Sequence, residues 1–404
     1  MALREPGVAP AAAQPGDRRA LVVMTVAHGI QHFYVAGLAV TYPFVVADLH
    51  VSYAVLGVVL TVAGVTGGLL QGAAGLLRGL RARVVLGGQN LGLALSSLLG
   101  AVAPGFGLFA GARVLGALVS WPQHPVGSAY LSDRFPKRRA TALSWHTAGG
   151  SIGTVTVPLF ATAVIAVAGW RWALVALGGA LAIGAVLVSA ALPSEKVRAG
   201  ASEAGQQHVP FRQLLGRPGI AVILLASTVA AGGRGLGTLS TYLPADLRSG
   251  LRLPTITVGT VFTVVMAASV VGPVLAGRLA DRFGRRRVLV LTYFSAAGAL
   301  AAFGFAGPRL DLLIPLGILV GMLAYAESPL LQAVFSDLIG PATPRSAFGV
   351  FFAIAYGVGS LWTALLGWII TTAGFPAAFC TMGGSFLIAG LIIATGRFER
   401  EPAR

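Results

Sequence analysis

Residues 256–307 read ITVGTVFTVVMAASVVGPVLAG, then RLADRFGRRR, then VLVLTYFSAAGALAAFGFAG. The two apolar runs hold 22 and 20 residues, and the ten residues between them carry five arginines and one aspartate. A helix of about 20 apolar residues crosses the hydrocarbon core of a bilayer. Neither run alternates with the two-residue period of a membrane barrel strand. The polar decapeptide is long enough only for a hairpin loop. The stretch therefore reads as two consecutive membrane passes joined on one side.

The same pattern continues in both directions. Of 404 residues, 56% are hydrophobic and 10% charged, whereas a soluble domain carries about 25% charged residues. Lipid must be the solvent for most of this surface. The 55 glycines suit close packing of membrane helices. The pattern predicts an all-α membrane protein with twelve transmembrane helices over 20–47, 52–76, 84–103, 107–131, 140–166, 170–192, 218–246, 255–279, 287–306, 310–336, 346–371 and 375–396. Residues 1–19 read as a disordered cytoplasmic tail without a cleavable signal pattern. Residues 193–217 read as a cytoplasmic linker between six-helix halves at 20–192 and 218–396, and 397–404 as a second cytoplasmic tail.

Charge sets the expected orientation. Segments on the side of the N-terminus carry 23 of the 29 Lys and Arg residues, and the other side carries four: Arg171, Arg248, Arg252 and Arg309. Arg113 and Arg234 fall inside spans. The positive-inside rule places both termini in the cytoplasm. The net charge of +16 is thus loop charge, and no nucleic-acid partner is expected. The Arg and Ala bias is that of a GC-rich bacterial genome, so the expected location is a bacterial inner membrane. Cys380 stands alone, which excludes an intrachain disulfide and a cysteine metal cluster. No Gly-x-x-x-x-Gly-Lys-Ser/Thr loop occurs, against an ATP-driven pump. No convergent catalytic set is visible, so neither an enzyme nor a cofactor is expected.

The halves repeat one another. Ser132-Asp133 recurs as Ser336-Asp337 at an offset of 204. At that offset Trp121 meets Tyr325, Gln123 meets Glu327 and Pro125 meets Pro329. Gly72 and Gly79 recur as Gly277 and Gly284, and Tyr42-Pro43 resembles Tyr242-Leu243-Pro244. An offset of six passes preserves orientation, so the repeat is parallel, about an axis along the membrane normal. Transporters use that architecture and bind substrate between the halves near the midplane.

The loop Gly277-Arg278-Leu279-Ala280-Asp281-Arg282-Phe283-Gly284-Arg285-Arg286-Arg287 resembles the cytoplasmic loop signature of the major facilitator superfamily, Gly-x-x-x-Asp-Arg-x-Gly-Arg-Arg/Lys. Physically, Gly277 would allow close helix approach and Gly284 a tight turn. Asp281, with Arg282 and Arg285, would latch the halves in one state by pairing with arginines or capping a helix N-terminus. Ordinary positive-inside charge explains the arginines, but not Asp281 with two spaced glycines. The first-half copy, Gly72 to Arg83, has Leu76 where the second has Asp281. In most of the family the first copy is the better kept, so any latch is expected on Asp281. Arg113-Val114-Leu115-Gly116, the glycines Gly149, Gly150 and Gly153 with Pro158, and Gly169-Trp170-Arg171-Trp172 also resemble the family. Gln123-His124-Pro125 followed by Gly149-Gly150-x-x-Gly153 is weakly similar to bacterial fosmidomycin-resistance-type efflux proteins.

Ionisable residues within spans are expensive, about 2.5–3.5 kcal/mol each at a helix centre facing lipid. Arg113, Arg234 and Glu327 should therefore face a cavity or one another. The arginines are candidates to hold an anionic substrate group, Glu327 a candidate proton carrier, and all three candidates for permanent structural pairing. His28 and His32 are four apart and share a helix face. His124 lies 11 residues beyond Arg113, about three turns along the same face, and His146 is in the fifth pass. Proton relay or hydrogen bonding to substrate is the reading for these histidines, beside interhelix bonding with no transport role. No carboxylate or cysteine accompanies the pair, so no metal is expected.

The resulting expectation is a secondary active transporter of a small organic solute, working by alternating access as a monomer. Proton-coupled efflux, as by a drug or metabolite antiporter, is the leading form. Uptake or exchange of a small organic anion is the alternative, and a non-transporting membrane receptor the remote one. The expected partners are the lipid bilayer, a small-molecule substrate and protons.

Overall fold

The computed structural model describes residues 16–73, 81–193, 216, 218–339 and 345–398. Most of the linker, most of the first-half loop with Leu76, and most of both tails lie outside the described residues.

Every regular element described is helical. The first three passes are Asp17–Asp48, Tyr53–Ala73 and Ala82–Ala101. The fifth and sixth are Arg139–Ala168 and Trp170–Ala191. The eighth, ninth and tenth are Thr255–Phe283, Arg285–Gly304 and Leu310–Ile339. Ten described helices are long and apolar enough to span by themselves. The remaining two passes are accounted for by interruptions. The fourth pass is two helices, Phe106–Ser120 and Gln123–Arg134, broken at Trp121-Pro122. The last stretch is two passes joined at Gly374, whose φ of 84° leaves the helical region. The fold is thus twelve transmembrane helices in two six-helix halves.

The sequence reading treats the seventh and eleventh passes as plain helices, and they are not. The seventh runs Pro218–Ala230, turns through Gly232 and Gly233, and resumes in a wide π-type segment Gly235–Leu239 with Gly237 at φ 151°. It then continues as Ser240–Ala245 and a second π segment, Asp246–Gly250. The eleventh passes from Arg345–Phe352 through a π segment, Ala353–Gly357, and a 3₁₀ turn, Val358–Ser360. Glycine populates such angles without steric penalty, and π-bulges are frequent at functional sites.

The outward faces are apolar and exposed, with Leu91, Val167, Ile183, Leu291 and Trp368 among them. Such a belt is stable only in lipid. Inside, glycines set the helix spacing. A Cβ at Gly29 would lie 2.9 Å from the Gly149 carbonyl oxygen, so the first and fifth passes touch backbone to backbone.

The halves are clasped toward the face opposite the termini. Tyr53 Oη lies 2.8 Å from Ser249 Oγ, and Ala54 N donates to Thr371 Oγ1 at 3.0 Å. Deeper in, Thr61 Oγ1 donates to the Ser360 carbonyl at 2.8 Å and accepts from Ala364 N at 3.0 Å. Second-pass glycines make this contact possible, since a Cβ at Gly68 would lie 2.7 Å from Gly357 Cα. Among the described residues, these bonds and the Ser360 Oγ bond to the Thr61 carbonyl are the hydrogen bonds that join the halves.

Candidate functional site

The interior polar groups form two clusters, one in each half. In the C-terminal half, Glu327 is fully buried on the tenth pass. Arg234, at the break of the seventh, donates from Nε to Oε2 at 3.0 Å and from Nη2 to Oε1 at 3.1 Å. Tyr293 Oη of the ninth pass donates to Oε1 at 3.2 Å. Arg234 also donates to the Ala355 carbonyl in the π segment of the eleventh pass, at 2.5 Å, and to the Ser227 carbonyl and hydroxyl. Tyr356 lies beneath the guanidinium, 5.3 Å from Cζ to ring centroid. One ion pair thus joins four passes at the places where two of them lose helical form. Its geometry is the bidentate fork that makes Arg–carboxylate pairs strong.

The first half carries imidazoles and a lone guanidinium instead. His28 stacks on His146 at 3.9 Å between ring centroids, and meets His32 and His124 edge-on at 4.5 and 5.2 Å. The glycines of the fifth pass seat these rings. A Cβ at Gly150 would lie 2.9 Å from His28 Cε1 and 3.1 Å from His32 Cδ2. Farther along the first pass, Gln31 Nε2 donates to the Ser120 carbonyl at 3.3 Å. Beyond it, Arg113 Nη1 donates to Tyr34 Oη at 3.0 Å. Arg113 has no carboxylate partner among the described residues, and its buried Nε is unbonded.

The six interior candidates thus fall into His28, His32 and His124 together, Arg234 with Glu327, and Arg113 near Tyr34. In this conformation the Arg234 donors Nε, Nη1 and Nη2 are all bonded within the protein.

Two buried side chains are missing from the candidates that the sequence singles out. Gln123 and Gln89 are buried with neither amide atom hydrogen-bonded. At the 204-residue offset they correspond to Glu327 and Tyr293. The N-terminal half therefore keeps neutral amides where the C-terminal half has its charged hub. The offset of Gln123 is visible in sequence, but nothing there shows that the amide is unsatisfied.

The loop signature is only partly realised. Gly284 has φ 93° and makes the turn between the eighth and ninth passes. Gly277 does not mediate close approach here, because a Cβ on it would meet nothing within 4 Å. Its place on the helix faces open space. Asp281 is exposed and has no ion-pair partner among the described residues. Arg282 lies over Phe283 at 5.2 Å. Arg285 instead pairs with Asp337 at the end of the tenth pass. Arg286 caps the twelfth by donating to the carbonyls of Ile393, Ala394 and Gly396. A cation at a helix C-terminus is the favourable arrangement.

Known proteins share this organisation. The chain is 28% identical over 322 residues to the chloramphenicol efflux pump Rv0191 of Mycobacterium tuberculosis, covering 76% of this chain and 75% of that protein. It is 29% identical over 155 residues to the probable galactarate/D-glucarate transporter GudP of Bacillus subtilis, a match spanning 37% of this chain and 33% of that one. In structure it is similar to the nucleoside transporter NupG, with a TM-score of 0.76, 13% identity and coverage of 94% of this chain and 98% of that one. The sequence profile of the Major Facilitator Superfamily matches residues 24–255 and again 235–404, once for each half. With two matching halves, twelve passes and a polar interior divided between them, the chain is a transporter of small solutes and belongs to the Major Facilitator Superfamily.

Proposed function

We propose that this chain is a proton-coupled exporter of a small organic solute, working by alternating access in a bacterial inner membrane with both termini in the cytoplasm. The observation that carries the coupling is the Arg234–Glu327 pair, buried where the seventh and eleventh passes lose helical form. Protonating Glu327 would remove the charge that holds Arg234. The guanidinium would then be free to reorient, and the ties to Tyr293 and Ala355 would loosen with it. A charge change at one point would thereby act on the segments best able to bend. The positive-inside distribution puts the clasped face outside, so this conformation would load cargo from the cytoplasm. Similarity to a chloramphenicol efflux pump over three-quarters of the chain supports export. The proposed unit is the monomer, with 193–217 as linker and Asp281 as a latch that engages in another conformation.

Reconstituted vesicles with an imposed pH gradient test this reading, with chloramphenicol as the first cargo. The expectation is gradient-driven accumulation in wild type and none in Glu327→Gln, with cargo exchange retained. Full accumulation by Glu327→Gln would remove Glu327 as the proton carrier. Failure of the wild type to exchange any cargo in a broad screen would favour a receptor. One observation favours an organic-anion transporter as the second reading, namely that Arg113 has no carboxylate partner among the described residues and keeps Nε unbonded. The similarity to a probable galactarate/D-glucarate transporter suggests sugar diacids for that screen.

A further inference from the structure

The histidine cluster has an internal logic that its rings alone do not show. His28 Nδ1 lies 2.7 Å from the His146 carbonyl oxygen, and a carbonyl only accepts. Nδ1 must therefore carry the proton, which leaves the lone pair on Nε2. That Nε2 is buried and unbonded. His146 repeats the arrangement, with Nδ1 against the Met24 carbonyl at 3.2 Å and Nε2 buried and unbonded. His32 Nδ1 meets Thr154 Oγ1 at 3.1 Å. Thr154 spends its own proton on the Gly150 carbonyl at 3.0 Å, so its oxygen accepts and His32 Nδ1 donates. His32 Nε2 is then a bare lone pair as well.

Three neighbouring imidazoles thus have their tautomers fixed by backbone or hydroxyl oxygens, each with its lone pair on Nε2. This is how metal-binding histidines are held, with one nitrogen donating to an oxygen and the other directed at the ion. His124 completes the convergence. One ring nitrogen from each of His28, His32 and His124 lies within 4.8 Å of the other two. Bonds of about 2.0–2.1 Å in a tetrahedral site would separate them by about 3.3 Å, a closure within reach of side-chain rotation. His124 is exposed while His28 is buried, so the cluster has one open side.

We propose that His28, His32 and His124 bind a divalent first-row transition-metal ion of the zinc class through their imidazole nitrogens, leaving one coordination position open on the His124 side. Neutral imidazole suits ions of this class. The Nε2 atoms of His28 and His32 need release no proton to bind. The set of three histidines with an open fourth position leaves room for water or an anionic donor from a small molecule. His146 supports the site from behind, through its stacked ring and the carbonyl that fixes His28. Without a carboxylate among the ligands, the ion's charge would favour an anion in the fourth position.

The test is calorimetric titration of Zn2+ into the full-length chain, purified in detergent without a polyhistidine tag and with no gradient imposed. The site predicts close to one ion per chain. His32→Ala and His124→Ala should each weaken binding at least tenfold, while His50→Ala, at an exposed position in the turn after the first pass, should leave it unchanged. Co2+ in place of Zn2+ should give the visible absorption of a tetrahedral nitrogen-ligated ion, which should vanish in His124→Ala. Because His124 is exposed, that variant is the one least exposed to folding failure. Absence of saturable binding in wild type, or binding that survives the His32→Ala/His124→Ala pair, would overturn the site. Binding is read at equilibrium, so its failure is separate from any failure of proton coupling.

Discussion

Arg234 grips Glu327 with two parallel bonds, Nε to Oε2 at 3.0 Å and Nη2 to Oε1 at 3.1 Å. Both side chains are buried, and the remaining bonds of the arginine go to backbone and hydroxyl oxygens of two other segments. Removing one partner leaves an uncompensated buried charge, which costs about 3–5 kcal/mol. Glu327→Ala and Arg234→Ala should each lower the thermal unfolding temperature in detergent. The double variant should be less destabilised than the sum of the two singles. Strict additivity would show that the pair does not act as a unit.

The clasp between the halves should be separable from the fold. Thr61→Val removes a hydroxyl that bonds Ser360 and Ala364 across the interface. The loss is worth about 0.5–1.5 kcal/mol per bond, enough to shift a two-state equilibrium several-fold. Cysteine reporters near Tyr53 and Ser249, in a Cys380→Ser background, should label faster in Thr61→Val. Unchanged labelling rates would mean that the clasp is dispensable for closure.

Asp281 and Asp337 should behave differently on neutralisation. Asp337 is paired with Arg285, half-exposed, so Asp337→Asn should cost about 0.2–1 kcal/mol of stability. Asp281 has no ion-pair partner here, so Asp281→Asn should leave the unfolding temperature within about 1 °C of wild type, an exposed change being worth under about 0.5 kcal/mol. If Asp281 latches in another conformation, turnover should still fall. Unchanged turnover in vesicles would end that role.

Gly150→Ala should disturb the histidines without touching them chemically. The added methyl would stand 2.9 Å from His28 Cε1 and 3.0 Å from its Nδ1, so the rings must move. Zn2+ affinity should fall at least tenfold, whereas Gly88→Ala, where a Cβ meets nothing within 4 Å, should not change it. Equal affinity in the two variants would show that the rings are not held by that glycine.

Much of the fold follows from apolar length and loop charge. Ile256–Gly277 and Val288–Gly307 are legible as passes because lipid demands continuous hydrophobicity. The breaks at Gly232–Arg234 and Ala353–Gly357 are not legible, since a π segment keeps the apolar composition of the helix around it. The cost of burying charge singles out Glu327 and Arg234 in the sequence, but their partnership joins residues 93 positions apart. The four imidazoles are likewise visible singly. The common tautomer of His28, His32 and His146 depends on carbonyls of Met24 and His146 and a hydroxyl of Thr154, which no spacing records.

The interruptions are distributed unequally between the halves. The first and fifth passes are unbroken over 32 and 30 residues, while their repeat counterparts, the seventh and eleventh, are segmented. A helix with an intact hydrogen-bond ladder bends little, and one with a bulge bends at the bulge. A rocking motion in this chain would therefore be lopsided. The first and fifth passes would move as stiff rods carrying His28, His32 and His146 unchanged, and the seventh and eleventh would supply the joints.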